Sequence, residues 1–160
     1  MIRIANKAMS RTRGAVLVEM ALVTPILLVL LLATADLTRA FIEHNTVTKA
    51  VRNGARYVAA KAIEGSTGLV NIDATLRTET QNLVVFGSTI NPLPGATPVV
   101  PGLTPANITV VQIAGTDDIT VSATYALGGL FGAVLPVNMT SGNSISAART
   151  LRATVTMRAL

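Results

Sequence analysis

The chain of 160 residues has no cysteine and no tryptophan, and only three phenylalanines, two tyrosines and one histidine. Without cysteine there is no disulfide framework, no thiolate metal site and no thiol nucleophile. Five aromatic rings are too few for the apolar surfaces that usually line a carbohydrate or small-ligand pocket. The lone histidine, His44, sits beside polar Asn45 and reads as a surface residue, since a metal site needs further ligands. The sequence carries no metal-ligand spacing, phosphate loop or nucleophile–base pair. The expectation is a chain that is not an enzyme and takes no cofactor, metal or small-molecule substrate.

Acidic residues are missing from one stretch in particular. Arg3, Lys7, Arg11 and Arg13 fall within the first 14 residues with no Asp or Glu among them. Of the 13 Lys and Arg residues, those four leave nine against eight Asp and Glu, so the net charge of +5 belongs mostly to the N-terminus. With so few aromatics and no basic patch elsewhere, nucleic acid is not an expected partner. The basic start is instead a topology signal, because Lys and Arg flanking the first apolar segment hold that end in the cytoplasm.

That apolar segment runs from Ala15 to Ala35 and contains one charge, Glu19, and one proline, Pro25. At ~1.5 Å per residue it spans roughly 30 Å, the hydrocarbon thickness of a bilayer, so membrane lipid is an expected partner. A carboxylate inside such a segment costs a few kcal/mol even on lenient insertion scales, so Glu19 calls for a compensating group. Cleavage after Gly14 would supply one. The new terminus would be Ala15, its α-amine a cation at neutral pH, and Glu19 would be its fifth residue. The amine could answer Glu19 on a neighbouring copy, or on its own helix one turn away.

Glycine before the cut and glutamate five places after it is the arrangement of prepilin-type leaders. Three features narrow the likeness: Arg13-Gly14-Ala15-Val16-Leu17-Val18-Glu19-Met20-Ala21-Leu22, Pro25 within the apolar run, and Arg52-Asn53-Gly54-Ala55-Arg56-Tyr57 some thirty residues later. Together they resemble the TadE-like family, pseudopilins of the tight-adherence (Flp/Tad) pilus system. Met20 stands where that family often has an aromatic, and Asp36 where a Glu would close the apolar run. The resemblance implies cleavage between Gly14 and Ala15 by a prepilin peptidase. It also implies assembly with other pilin or pseudopilin subunits and an inner-membrane assembly platform, with Glu19 registering the helix. The resulting expectation is a single-pass protein of the bacterial inner membrane, N-terminus cytoplasmic and C-terminal domain periplasmic, supporting pilus assembly and surface attachment.

Two other readings use the same residues. Ala33-Thr34-Ala35 before Asp36 fits a secretory cleavage site, which would release an external binding protein. The apolar run is longer than the ~7–15 residues of such a signal, and Glu19 lies inside it. The third reading is an uncut signal-anchor carrying an external binding module.

The expected organisation is a leader over 1–14, a transmembrane segment over 15–35 and an amphipathic helix continuing it over 36–65. An external α+β domain follows over 66–160, with a Pro-rich loop at 88–106, giving a pilin-like α+β fold overall. Pro25 removes a backbone donor and should kink the first helix, unless neighbouring subunits absorb the bend. Val47, Val51, Ala55 (with Gly54), Val58 and Ala62 recur at three- and four-residue steps. Such a narrow, small-residue stripe suits close packing against the chain's own domain or against other subunits. Arg52 and Arg56, one turn apart, read as a solvated basic face or as contacts to acidic subunits, with Gly54 a further candidate contact. Gly65 is the expected cap of this helix. Asn71–Phe86 reads as a second helix, capped by Asp73 or Asn71 and stopped by Gly87.

Five prolines between Pro92 and Pro105 rule out a helix or central strand there and predict a stiff, extended surface connection. From Asn107 the period becomes two. Ile108–Ile113 and Ile119–Tyr125, around Gly115-Thr116-Asp117-Asp118, read as a hairpin whose aspartates serve the turn. Residues 127–137 are apolar and Gly-rich, suiting a crossover over the core or a contact patch, and Ser144–Arg158 supplies a last strand. Asn107-Ile108-Thr109 and Asn138-Met139-Thr140 match glycosylation acceptors, which a bacterial pilin-like setting makes coincidental.

Overall fold

The structure, a computed structural model, describes the backbone of residues 5–63, 69–90, 92, 95–127 and 149–160. It is α+β, as expected: a long first helix, a short second one and a three-stranded antiparallel sheet at the C-terminus. The chain forms two compact units, Met1–Thr38 and Arg39–Leu160. Gly65 with its expected cap, the 66–68 turn, the segment 128–148 and the second glycosylation match lie outside the described residues.

Helix α1 spans Ala5–Lys61 and contributes to both units. Its apolar part is rich in Leu, Ala and Val, and its threonines are disarmed by the helix itself. Thr24 Oγ1 donates to the Met20 carbonyl at 2.7 Å and Thr34 Oγ1 to Leu31 at 2.8 Å. Each hydroxyl is thereby satisfied without a partner from outside. The helix runs on through Pro25. In the first unit no other described element covers it, and the side chains from Gly14 to Ala35 are exposed.

In the second unit the same helix is buried along one stripe. Val47, Val51, Ala55, Val58 and Ala62 are all completely inaccessible and belong to one core with α2 and the sheet. The helix expected to run to residue 65 ends earlier, at Lys61. Ile63 leaves the helix to form an antiparallel bridge with Val70, and the Asn71 N–H donates to the Ala62 carbonyl at 2.7 Å.

That bond also explains the start of the second helix. Helix α2 spans Ala74–Phe86, three residues shorter than the pattern suggests, because Asn71 is already committed to the end of α1. Asp73 is the cap, its Oδ1 accepting from the Leu76 N–H at 2.7 Å. Gly87 closes the helix in the left-handed region at φ +73°, its N–H donating to Leu83. Leu76, Val84 and Val85 face the core, and buried Thr80 satisfies its hydroxyl on the Leu76 carbonyl.

Among its described residues the Pro-rich stretch carries one element, a short 3-10 turn at Pro105–Asn107, but it is more than a surface connection. Val100 and Leu103 are buried in the core, and the Val99 N–H donates to the Val85 carbonyl at 2.8 Å. Prolines 98, 101 and 105 fix φ and lack N–H groups. The apolar residues between them can therefore enter the core with few backbone donors left to satisfy.

Strands β1 (Ile108–Gln112), β2 (Asp118–Leu127) and β3 (Arg149–Arg158) pair in that order. The register aligns Val110 with Val121 and Val155, and Ile108 with Ala123 and Ala153. Alternation then places Thr109, Thr124, Arg152 and Thr154 on the outer face, all exposed, with Thr120 and Thr156 bonded hydroxyl to hydroxyl at 2.9 Å. Gly115, at φ +81°, makes the hairpin turn. Asp117 and Asp118 follow that turn: the Asp117 carboxylate pairs with Arg158 at 3.4 Å and its carbonyl accepts from the Ala159 N–H, while the Asp118 carbonyl accepts from the Ile113 N–H. The chain end is fastened by Leu160, whose N–H donates to the Ala59 carbonyl of α1.

Candidate functional site

Two places on the described surface are candidates, and one of them is structural. Lys61, Asn71, Asp73, Thr75, Leu76 and Glu79 line an open cleft where α1 ends and α2 begins. Its acids are already engaged. Asp73 caps α2, and Glu79 Oε2 accepts from the Tyr57 hydroxyl at 2.5 Å. Lys61 Nζ donates to the same hydroxyl at 2.7 Å, lies 4.7 Å from the ring centroid of Tyr57, and stands 3.6 Å from Glu79. The hydrogen bond to Tyr57 raises the Lys61 pKa most, desolvation opposes it, and the charge of Glu79 adds a lesser rise. The cluster clamps two helices together. Sequence reasoning missed it, and the one local signal was Tyr57 and Lys61 standing four residues apart.

The other place is α1 itself, which bears the residues the sequence singled out for cleavage, registration and subunit contact. Gly14 is exposed, and a side chain added there would meet nothing within 4 Å. Ala15 and Glu19 follow one turn apart, both exposed, on a helix whose apolar window has a mean hydropathy of 2.6 and no part buried by the protein's own fold. That helix is long and apolar enough to cross a membrane. Pro25 lies inside this exposed run.

Thirty residues on, the second group divides. Gly54 is buried, and a methyl group placed on it would overlap Cγ2 of Val84. The close approach that its lack of a side chain permits is therefore made to α2 of the same chain. Arg52 and Arg56 are exposed on another face of the helix. The structure thus keeps the two arginines together and separates them from Gly54.

His44 is half-buried rather than a free surface residue, and its Nδ1 has no hydrogen-bond partner among the described residues. Helical spacing explains why: Ala40, His44, Val47 and Val51 succeed one another at four-, three- and four-residue steps along the buried side. The hydroxyl of buried Tyr125 likewise lacks a partner among the described residues. Burial raises its pKa, and the carboxylate of Glu43 adds to the rise. Among the described residues no group of three or more His, Asp or Glu could hold a metal ion.

No curated protein and no solved structure matches the chain. A family model does, the one described as TadE-like protein, over residues 14–56. The matched stretch opens on Gly14, closes on Arg56 and takes in Ala15, Glu19, Pro25, Arg52 and Gly54, all of them on α1. Over that stretch α1 is similar to the TadE-like family, a likeness consistent with a protein of the Tad pilus system.

Proposed function

We propose that the protein is a minor pseudopilin, a structural subunit without catalytic activity that supports assembly of a Flp/Tad-type pilus and attachment to surfaces. The observation that carries this reading is an apolar helix left uncovered by its own fold, bearing Glu19 five residues after Gly14 within the TadE-like stretch. Lipid covers residues 15–35 before assembly, and the helices of other pilin-like subunits cover them afterwards. The basic leader stays on the cytoplasmic side of the inner membrane and the C-terminal domain lies outside it. A prepilin peptidase cuts between Gly14 and Ala15, and the amine so created answers Glu19 of a neighbour, with the assembly platform as further partner. Arg52 and Arg56, exposed and one turn apart, offer a basic contact to acidic subunits.

Mass spectrometry of the membrane-extracted protein tests the reading. A mature chain beginning at Ala15 is expected. An intact leader would leave a signal-anchored binding module, and a start at Asp36 would mean a secreted one. The unbroken helix across Ala33–Asp36 favours an anchored chain over a released one. Glu19→Ala is expected to insert normally yet reduce crosslinking to pilin-like helices. Undiminished crosslinking in that variant would remove the registering role of Glu19.

A further inference from the structure

The apolar run ends at Asp36, but apolar exposure on α1 does not. Leu37, Phe41 and Ile42 are 50, 61 and 62% exposed, as open as Val16 at 55% or Leu31 at 63%, whereas the next large apolar residue, Val47, is wholly buried. Leu37 and Phe41 share one face a turn apart, and Ile42 flanks them. Continued along the helix, that row becomes polar: Asn45, Lys49, Arg52 and Arg56 are all exposed.

Length places this patch. Residues 15–35 fill the ~30 Å hydrocarbon layer, so residues 37–42 occupy the next ~9 Å, the depth of a headgroup zone. Phe41 is the first aromatic residue of the chain, and a Phe beside aliphatic residues suits burial at the headgroup–acyl boundary. Charge does not oppose this. Of the three ionisable side chains at this level, Arg39 pairs with Glu43 at 2.8 Å, and Asp36, at the inner edge of the patch, is engaged as well.

We infer that Leu37, Phe41 and Ile42 are seated in the outer lipid interface, with the water line between Ile42 and Asn45 rather than at Asp36. The occupant of this face is therefore the lipid surface, continuous with the lipid that covers the preceding apolar run. The inference rests on the membrane-held reading above and adds the depth at which the external unit begins.

The natural chain has no tryptophan, so a single introduced indole reports its own surroundings. The full chain carrying Leu27→Trp, Phe41→Trp, Ile42→Trp or Asn45→Trp is reconstituted in phosphatidylcholine vesicles brominated at shallow or deep acyl positions. Expected are deep quenching at 27, quenching at 41 and 42 roughly twofold stronger from shallow than from deep bromines, and at 45 quenching by aqueous iodide alone. If position 27 is quenched deeply while 41 and 42 answer only to iodide, the interfacial placement is overturned and the anchor stands. A blue-shifted indole at 41 that neither bromines nor iodide quench overturns lipid as the occupant in favour of a second copy of the chain. Absence of quenching at 27 overturns the membrane-held reading and this inference with it.

Discussion

One helix serves two regions, and they solve the problem of apolar surface in opposite ways. From Val16 to Leu37, α1 carries large apolar side chains, mostly Leu and Val, and leaves them exposed. After Arg39 its core stripe is Val, Ala and Gly, and all of it is covered by α2, the Pro-rich stretch and the sheet. Large side chains suit a liquid that conforms to any shape, whereas small ones suit a fixed neighbour that must come close. The difference shows that the first region depends on a medium outside the chain, and the second carries its own.

A charge placed in each region separates these two kinds of burial most widely. Val51→Asp puts an uncompensated carboxylate in a closed core and should cost about 3–5 kcal/mol, read from urea unfolding of the detergent-solubilised chain. Leu28→Asp should leave that unfolding within about 0.5 kcal/mol of the parent, because Leu28 touches no part of the core. It should instead reduce membrane insertion by a few kcal/mol, measured as the inserted fraction. Equal unfolding losses in both variants would break the comparison.

The two glycines of α1 sharpen it. Gly54→Leu gains about 1 kcal/mol of helix propensity but forces atoms into Val84, so a net loss of about 1–2 kcal/mol is expected in the same unfolding measurement. Gly14→Leu meets nothing and should leave stability unchanged. Its effect belongs to processing: uncut precursor should accumulate on a gel, and normal cleavage would remove the peptidase from the proposal. Smaller still is Tyr57→Phe, which removes the hydroxyl joining Lys61 to Glu79 and should cost about 1 kcal/mol.

The sequence displayed the parts of this molecule that are local. The Val47–Ala62 stripe, the strand alternation and the Gly87 stop each depend on neighbours three or four residues away at most, and each stands where the pattern puts it. Gly14 and Glu19 stood out for the same reason, because the pattern that marks them lies within six consecutive residues. What escaped was set by distant partners. The late start of α2 follows from Asn71 bonding back to Ala62, and the burial of Val100 and Leu103 from a core that the prolines themselves do not announce. Tyr57 and Glu79 are brought together only by the packing of α2 on α1. His44 was within reach of the pattern, since it extends the buried stripe by three residues toward the N-terminus, but its polarity hid it.

The mildest difference between the regions is a response to alkali. The first unit's apolar run holds Glu19 as its one ionisable side chain, whereas the second buries the phenol of Tyr125, a residue of β2. Burial and, secondarily, the Glu43 carboxylate raise the pKa of that phenol above its ordinary 10.0. The folded chain therefore holds its proton where the unfolded chain has lost it. Stability from this group is fully present below pH 10 and declines as pH climbs through the raised value. Lys61, whose pKa is also raised, adds a loss of the same sign above its ordinary 10.5. Tyr125→Phe should thus match the parent at pH 7 within about 0.5 kcal/mol, because the lost hydroxyl has no partner among the described residues. Above pH 10, the ordinary value from which the phenol is raised, its urea midpoint should fall less steeply than the parent's. A variant that tracked the parent throughout would acquit the buried phenol and leave the alkaline loss to Lys61. One that lost stability already at pH 7 would mean the hydroxyl is bonded in the folded chain.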